Sequence, residues 1–300
     1  MLSAELKQKE ASAIGFLQAM QGSGRCYHLA FSGGKDSCVI KHLADKAGVK
    51  YDPVYRVTSV DPPELVKFIK VKHPDVRREI PHNRDGTPIT MWSLCLDKKS
   101  LPTRISRFCC EYLKESAGEP GQMTITGVRW AESVNRARNQ GLATIYGAGK
   151  AKELEDDPNF TQTPRGGVVL LNDNDESRQQ LDVCALKHKI TINPIIDWTD
   201  AEVWEYIREE KIPYCSLYDE GFHRLGCIGC PMARYAGRVR EFNRWPKYKD
   251  QYMRIARKIF EIRKSEGRQK FQSAEHYFSW WIEDPNVVGQ LSIFDEEMEE

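Results

Sequence analysis

The sequence predicts an α/β fold built on a parallel sheet, and three observations lead there. Strand-like apolar runs alternate with stretches of helical periodicity through the first half of the chain. One such run, Cys26-Tyr27-His28-Leu29-Ala30-Phe31, breaks into Ser32-Gly33-Gly34-Lys35-Asp36-Ser37 and then into the apolar helical stretch Cys38-Val39-Ile40-Lys41-His42-Leu43. The chain has 300 residues, 40% hydrophobic and 29% charged, enough for one large domain with an appendage or for two modest ones. Strands that alternate with helices pair in parallel through right-handed crossovers.

Each element has its own signal. Leu6, Ala13, Ile14, Leu17 and Met20 recur at helical spacing, with Gly22 as a stop. The Cys26 to Phe31 run is the first strand, and the helix after the glycines covers Ser37 to Lys46, ending near Gly48. Tyr51 to Ser59 reads as a second strand. Asp61-Pro62-Pro63-Glu64 opens a helix with Asp61 as N-cap and proline in its first turn; that helix, Leu65 to Lys72, runs to Pro74. Val76 to Ile80 is a third strand, and residues 81–107 carry no pattern that assigns an element.

Gln122 to Val128 is a further strand, followed by a helix from Glu132. Residues 140–180 are rich in Gly, Asn and Asp without sustained helical period, the mark of an insertion or flap. Within it, Val168 to Leu171 has the pattern of one arm of a hairpin whose partner the sequence does not identify. Lys189 to Ile196 is strand-like, and Thr199-Asp200-Ala201-Glu202 is a capping box opening a helix over Val203 to Glu210.

Two helices follow, about Pro246 to Ser265 and Ala274 to Glu283. Their Tyr252, Ile255, Ile259 and Ile262, and Tyr277, Phe278, Trp280 and Trp281, are spaced for core packing, with base stacking as the alternative. The organisation expected is an N-terminal helix (1–22), an α/β domain (23–232), a basic helical extension (233–286) and an acidic tail (287–300).

The glycine turn is a phosphate cradle by its chemistry. Gly33 and Gly34 permit backbone geometry that a side chain would obstruct, and amides at a helix start, aided by the helix dipole, point at an anion. Ser32 and Ser37 donate hydroxyl hydrogen bonds, and Lys35 supplies a point charge. Asp36 is a candidate for metal contact, capping of the helix being its simpler role. The spacing is not that of the commoner P-loop, which places four residues between its first glycine and Gly-Lys-Ser/Thr. A plain connector turn is the bland alternative.

The Ser32 to Ser37 run resembles the PP-loop of the ATP pyrophosphatase superfamily, whose adenine nucleotide α-hydrolase-like members cut ATP between the α and β phosphates. Three later segments are similar to phosphoadenosine phosphosulfate (PAPS) reductases and their relatives. They are Thr126-Gly127-Val128-Arg129-Trp130-Ala131-Glu132-Ser133 with Arg136; Asn193-Pro194-Ile195-Ile196-Asp197-Trp198-Thr199 with Val203, Trp204 and Ile207; and Ile212-Pro213-Tyr214-Cys215-Ser216-Leu217-Tyr218-Asp219-Glu220-Gly221-Phe222. The likeness runs in family order from about Cys26 to Met232 and implies a PP-loop domain with a C-terminal helical extension. It implies that Ser32, Gly33, Gly34, Lys35, Asp36, Ser37, Gly127 and Arg129 bind an adenine nucleotide, with Lys35, Asp36 and Arg129 catalytic. For Arg129 the alternative is a surface arginine paired with Glu132.

The chain departs from the sulfonucleotide reductases in two respects. Its loop is intact where theirs usually lacks the lysine, and it carries no cysteine after Cys230 to deliver electrons. An ATP-consuming relative, such as a sulfur-insertion enzyme of DNA phosphorothioation or tRNA thiolation, is the better match. The other two readings are sulfonucleotide reduction with an external thiol and a non-catalytic nucleotide-binding subunit.

Nine cysteines in a chain without a signal peptide point to metal or redox chemistry rather than a disulfide framework. Cys109-Cys110 and Cys227-Ile228-Gly229-Cys230 resemble the set that holds a [4Fe-4S] cluster in assimilatory adenosine phosphosulfate reductases. Adjacent cysteines ligate together only with strained geometry, so Cys215 or Cys184 is a possible substitute, and three or four ligands remain open. Structural zinc is the rival. Cys38 reads as core, Cys26 and Cys95 carry no pattern, and His223 is either a ligand or a hydrogen-bonding loop residue.

The net charge of +1 conceals a basic stretch from Arg234 to Lys270, where thirteen Lys and Arg face only Glu241, Asp250, Glu261 and Glu266. It suits DNA or RNA phosphates, or is simply a solvated helical face. No stretch is long and apolar enough for a membrane span, so a cytoplasmic protein is expected. The cofactors implied are ATP, Mg²⁺ and the cluster; a sulfur-donor protein is an implied partner.

Overall fold

A computed structural model describes residues 2–21, 26–115, 122–146, 158–164, 167–171, 173–174, 181 and 189–283. Cys184 and the acidic tail 287–300 lie outside them, as does much of the 140–180 segment. The chain divides into two compact units. The first holds Met1–Tyr55, Glu64–Glu79 and Ala117–Leu225; the second holds Arg56–Pro63, Ile80–Ser116 and Gly226–Glu300.

The first unit is built on an eight-stranded sheet in the order β3-β2-β1-β4-β8-β5-β7-β6. Its strands are β1 Tyr27–Ala30, β2 Tyr51–Arg56, β3 Arg77–Glu79, β4 Met123–Ile125, β5 Ala143–Tyr146, β6 Phe160–Gln162, β7 Val168–Leu170 and β8 Lys189–Ile192. β1 runs parallel to β2 and β4, and β4 runs parallel to β8, as expected. The sheet as a whole is nevertheless mixed. β5 pairs antiparallel with both β8 and β7, and β6 antiparallel with β7, so the stretch read as an insertion adds three strands to the edge. The Val168 to Leu171 strand thereby has two partners, β5 and β6.

Chain order moves outward from β1 to β3 on one side and resumes at β4 on the other, making a topological switch point between β1 and β4. Open α/β sheets bind ligands beyond the carboxyl ends of their strands at such a point.

Helix α1 (Ala4–Gln21) buries Leu6, Ala13, Phe16, Leu17 and Met20 and packs on α2 (Lys35–Ala47). The hydroxyl of Tyr27 donates to the Leu17 carbonyl at 2.8 Å, tying β1 to α1. Helix α3 (Pro63–Lys72) buries Leu65, Phe68 and Ile69.

In the second unit, α4 (Met91–Asp97) begins in a stretch the sequence left unassigned. Thr90 and Ser93 cap it reciprocally. Helix α5 (Phe108–Cys110) runs on into a π-helical turn, Glu111–Glu115. After α6 (Val134–Asn139) and α7 (Asp200–Glu209) of the first unit come three helices of the second, α8 (Tyr235–Arg244), α9 (Pro246–Ser265) and α10 (Ala274–Trp281). Most of the α9 and α10 residues expected in the core are there: Tyr252, Ile255, Ile259, Tyr277, Phe278 and Trp281 are buried, while Ile262 and Trp280 are half-buried. Tyr252 and Trp281 lie 4.8 Å apart between centroids, and Phe242 of α8 packs on both. Among the described residues no helix is long and apolar enough to cross a membrane.

Candidate functional site

The glycine turn lies at the carboxyl end of β1, beside the switch point. Phe31 extends the pairing by one residue, its N–H donating to the Val54 carbonyl at 2.9 Å, and the chain then turns. Gly33 has φ +75°, and a Cβ there would lie 2.8 Å from the side chains of Ile69 and Leu65. Backbone conformation and packing thus both require glycine.

Gly34 is the extended N-cap of α2 and supplies no side-chain cap. Asp36 therefore does not cap the helix. The Lys35 N–H instead donates to the Tyr218 hydroxyl at 2.9 Å. The Ser37 hydroxyl donates to the Gly34 carbonyl at 2.8 Å and lies 3.4 Å from the Ser32 hydroxyl.

The loop after β4 meets this turn. Gly127 comes so near that a Cβ there would stand 3.0 Å from the Asp36 Cβ. Two residues on, Arg129 turns inward and is 1% exposed. Its Nε donates to Asp36 Oδ1 at 2.7 Å, one terminal nitrogen to the Trp198 carbonyl at 3.1 Å and the other to Asp200 Oδ1. Lys35, also buried, lies 3.2 Å from Asp36 and 3.3 Å from Asp200.

The pairing of a surface Arg129 with Glu132 does not occur. Glu132 pairs with Arg136 and accepts the Arg129 backbone N–H at 3.1 Å. Burial pushes the Asp200 carboxyl up, but the bond from Arg129 and the charge of Lys35 outweigh it and hold the group below the usual carboxylate range.

Asp200 and Tyr218 are the residues whose place in this site sequence reasoning missed. Both fall inside segments that carried the resemblance, but Asp200 read only as part of a capping box. That box is present, with the Thr199 hydroxyl accepting from Glu202 N–H at 3.2 Å. Cys38 is core behind the loop, its thiol pushed up by burial and 3.9 Å from His73 Nε2.

The second unit holds five of the described cysteines, Cys95 and the four that carry the cluster resemblance, Cys109, Cys110, Cys227 and Cys230. The thiol of Cys109 is buried, donates to Cys110 and is raised by that bond first, then by burial and by the nearby Cys110, Cys227 and Cys230 sulfurs. Cys110 is correspondingly lowered, and the Arg107 guanidinium 3.4 Å from its sulfur acts in the same direction. Burial pushes Cys227 up to about 12 against the pull of Lys114, whose own charge Cys227 favours.

Cys109 and Cys110 are the last two residues of α5, and the π-helical turn that follows them is a widening of the helix found frequently at functional sites. The Cys227–Cys230 turn is held by Arg238, which is buried and donates to the carbonyls of Cys230 at 3.1 Å, Pro231 at 2.7 Å and Trp281. The Gly229 N–H donates to the Glu241 carboxylate at 2.7 Å. Cys215 belongs to the first unit, where its thiol is raised by burial. His223 and Cys26 are exposed, and Cys95 is buried. Among the described residues no three His, Cys, Asp or Glu side chains are gathered closely enough to hold a single metal ion.

Not all of the basic stretch is surface. Arg238 is interior, and Arg263 donates to the Lys99 carbonyl at 2.8 Å. Arg240, Arg244, Lys247, Lys249, Arg254, Arg257 and Lys258 are exposed, Arg257 pairing with Glu275 at 3.0 Å.

Residues 27–233 match the phosphoadenosine phosphosulfate reductase domain. The chain belongs to that family. Among its family relatives, an adenosine 5'-phosphosulfate reductase of Oceanobacillus iheyensis is 25% identical over 209 residues, 67% of this chain and 69% of that protein. The Salinibacter ruber adenosine 5'-phosphosulfate reductase is 33% identical over 93 residues, 29% of this chain and 36% of its own. An uncharacterised protein of Methanocaldococcus jannaschii is 26% identical over 257 residues, 80% of this chain and 52% of that protein. The chain thus spans about half the length of two Methanocaldococcus jannaschii relatives it matches, 52% of one and 46% of the other. Among solved structures, the PAPS reductase from Candida auris in its phosphate complex aligns with a TM-score of 0.43 at 17% identity, over 77% of this chain and 98% of that one.

Proposed function

We propose that this member of the PAPS reductase family binds ATP with Mg²⁺ at Ser32 to Ser37 and cleaves it to AMP and pyrophosphate, adenylating an acceptor for sulfur transfer to a nucleic acid. The observation that carries the reading is the intact loop, with Gly33 left-handed, Lys35 at the start of α2 and Arg129 converging beside it. An acceptor oxygen attacks the α phosphorus, the bond to the bridging oxygen breaks, and pyrophosphate departs with the electron pair while the acceptor proton goes to solvent. Lys35 and Arg129 offset the charge that builds on the phosphate oxygens, and Asp36 is placed to orient them or contact the metal. A sulfur nucleophile then displaces AMP.

Cys109, Cys110, Cys227 and Cys230 would hold a [4Fe-4S] cluster. Their chemistry fits: the Cys109 sulfur interacts with those of Cys110, Cys227 and Cys230, Arg107 helps to lower Cys110 towards the thiolate, and Lys114 pulls Cys227 the same way against its burial. A cluster takes one thiolate per iron, so its ligands stand farther apart than four thiolates at about 2.3 Å from one zinc ion. When bound, the cluster supplies redox-active iron and inorganic sulfide. The exposed arginines and lysines of α8 and α9, within 234–270, suit DNA or RNA as the acceptor. Free thiols and a sulfur-donor protein fit a reducing, cytoplasmic setting.

Relatives named adenosine 5'-phosphosulfate reductase favour a second reading, sulfonucleotide reduction with an external thiol. Anaerobically purified protein separates the two. Pyrophosphate released from ATP in the presence of DNA or RNA, and lost in Lys35→Ala, supports adenylation. Sulfite released from adenosine phosphosulfate without ATP consumption supports reduction, and tight nucleotide binding without turnover marks a regulatory subunit.

A further inference from the structure

Four charged side chains close a ring over the phosphate loop. Asp36 and Asp200 each bridge the same two cations, Lys35 and Arg129. Two positive and two negative groups cancel, so the loop presents little net side-chain charge to an arriving polyanion. The four are not equally placed. The side chains of Lys35 and Arg129 are 6% and 1% exposed and that of Asp36 is 21% exposed, whereas that of Asp200 is 63% exposed.

An exposed carboxylate gains little from a single surface partner. Here one oxygen, Oδ1 of Asp200, faces two buried cations together, the position a phosphate oxygen would take between a lysine and an arginine. The capping box holds the backbone of α7 through Thr199 and Glu202, so Asp200 can leave by side-chain rotation alone.

We propose that Asp200 is an electrostatic latch, which holds Lys35 and Arg129 in the nucleotide-free protein and yields both to phosphate oxygens on binding. The inference rests on the reading of Ser32 to Ser37 as a nucleotide site and adds a selectivity to it. A phosphate oxygen replaces the carboxylate on both cations, and a pyrophosphate or triphosphate, with more negative charge than a monophosphate, does so at a lower concentration. Asp200 acts through Lys35 and Arg129 and is a positioning residue.

The test is calorimetric titration of the full chain with inorganic pyrophosphate in a chelator, where no metal mediates. Asp200→Asn removes the charge and keeps the shape, and should bind pyrophosphate roughly tenfold more tightly, in line with removing one unit charge a few ångströms from the ligand in a partly screened site. Asp200→Ser should move the same way, while Asp200→Glu, which restores a carboxylate, should stay near the parent. In ATP turnover Asp200→Asn should lower KM with kcat little changed. Equal or weaker pyrophosphate binding by the Asn and Ser variants overturns the latch, provided the parent binds and Lys35→Ala does not; weaker binding only when Mg²⁺ is supplied makes Asp200 a metal ligand instead. A parent indistinguishable from Lys35→Ala overturns the nucleotide site itself, and the latch with it.

Discussion

Gly33 combines φ +75° with a Cβ position 2.8 Å from Leu65 and Ile69. Replacement by alanine must twist the turn or displace α3, and should cost about 1–3 kcal/mol. Urea unfolding of Gly33→Ala is expected to show a lower midpoint at unchanged slope, together with impaired ATP cleavage; a midpoint equal to the parent would mean that the turn relaxes freely. At this scale the sequence was legible where a residue's type is its role. The two glycines, two serines and Lys35 announced a tight strand-to-helix turn, and the turn is there, with Gly33 left-handed and Gly34 as the N-cap of α2. Arg129 and Asp200 were less legible. An arginine four residues past a strand does not reveal that it points inward, and an aspartate in a capping box does not reveal that its carboxylate reaches two cations brought from elsewhere in the chain.

Among the elements, helix α3 is fixed at its end by His73, whose N–H donates to Ile69 O at 3.0 Å and whose ring lies 4.7 Å from that of Phe31 and 5.2 Å from that of Phe68. Burial, then the charge of Lys41, lowers its pKa below 6.5, and burial does the same to His28. The folded state therefore binds fewer protons than the unfolded chain as pH falls through 6.5, and stability is lost on the acid side while neither histidine contributes above it. Melting temperature should drop between about pH 7.5 and about pH 5.5, and His73→Phe should make that drop shallower. An unchanged slope would remove His73 from the linkage.

Helices with a strong start were readable, α7 from its Thr199 to Glu202 box above all. Helix α4 was not, because it has seven residues and its Thr90 cap is reciprocated by Ser93 instead of Glu or Gln. Strands β5 and β6 were missed for a related reason, and β7 was read as one arm of a hairpin without its partners. Three or four residues each are too few to show a period, and their antiparallel pairing depends on partners distant in sequence.

For the molecule as a whole, the sequence order suggested successive domains, whereas the second unit is assembled from three separated stretches. That assembly places Cys109 and Cys110 with Cys227 and Cys230, more than a hundred residues apart in the chain, a grouping that only the family resemblance anticipated. Anaerobically prepared protein should be brown and contain iron and acid-labile sulfide, and Cys227→Ser with Cys230→Ser should lose both; a stoichiometric zinc content with no iron would replace the cluster by a structural ion.

The central claim, cleavage of ATP between its α and β phosphates at the Ser32 to Ser37 turn, is tested most directly with ATP labelled on the α phosphate and a polynucleotide acceptor. The account predicts labelled AMP, free or on the acceptor, in amounts equal to the pyrophosphate formed, and neither product from Lys35→Ala. Labelled ADP with orthophosphate, or unchanged turnover in Lys35→Ala, would contradict it.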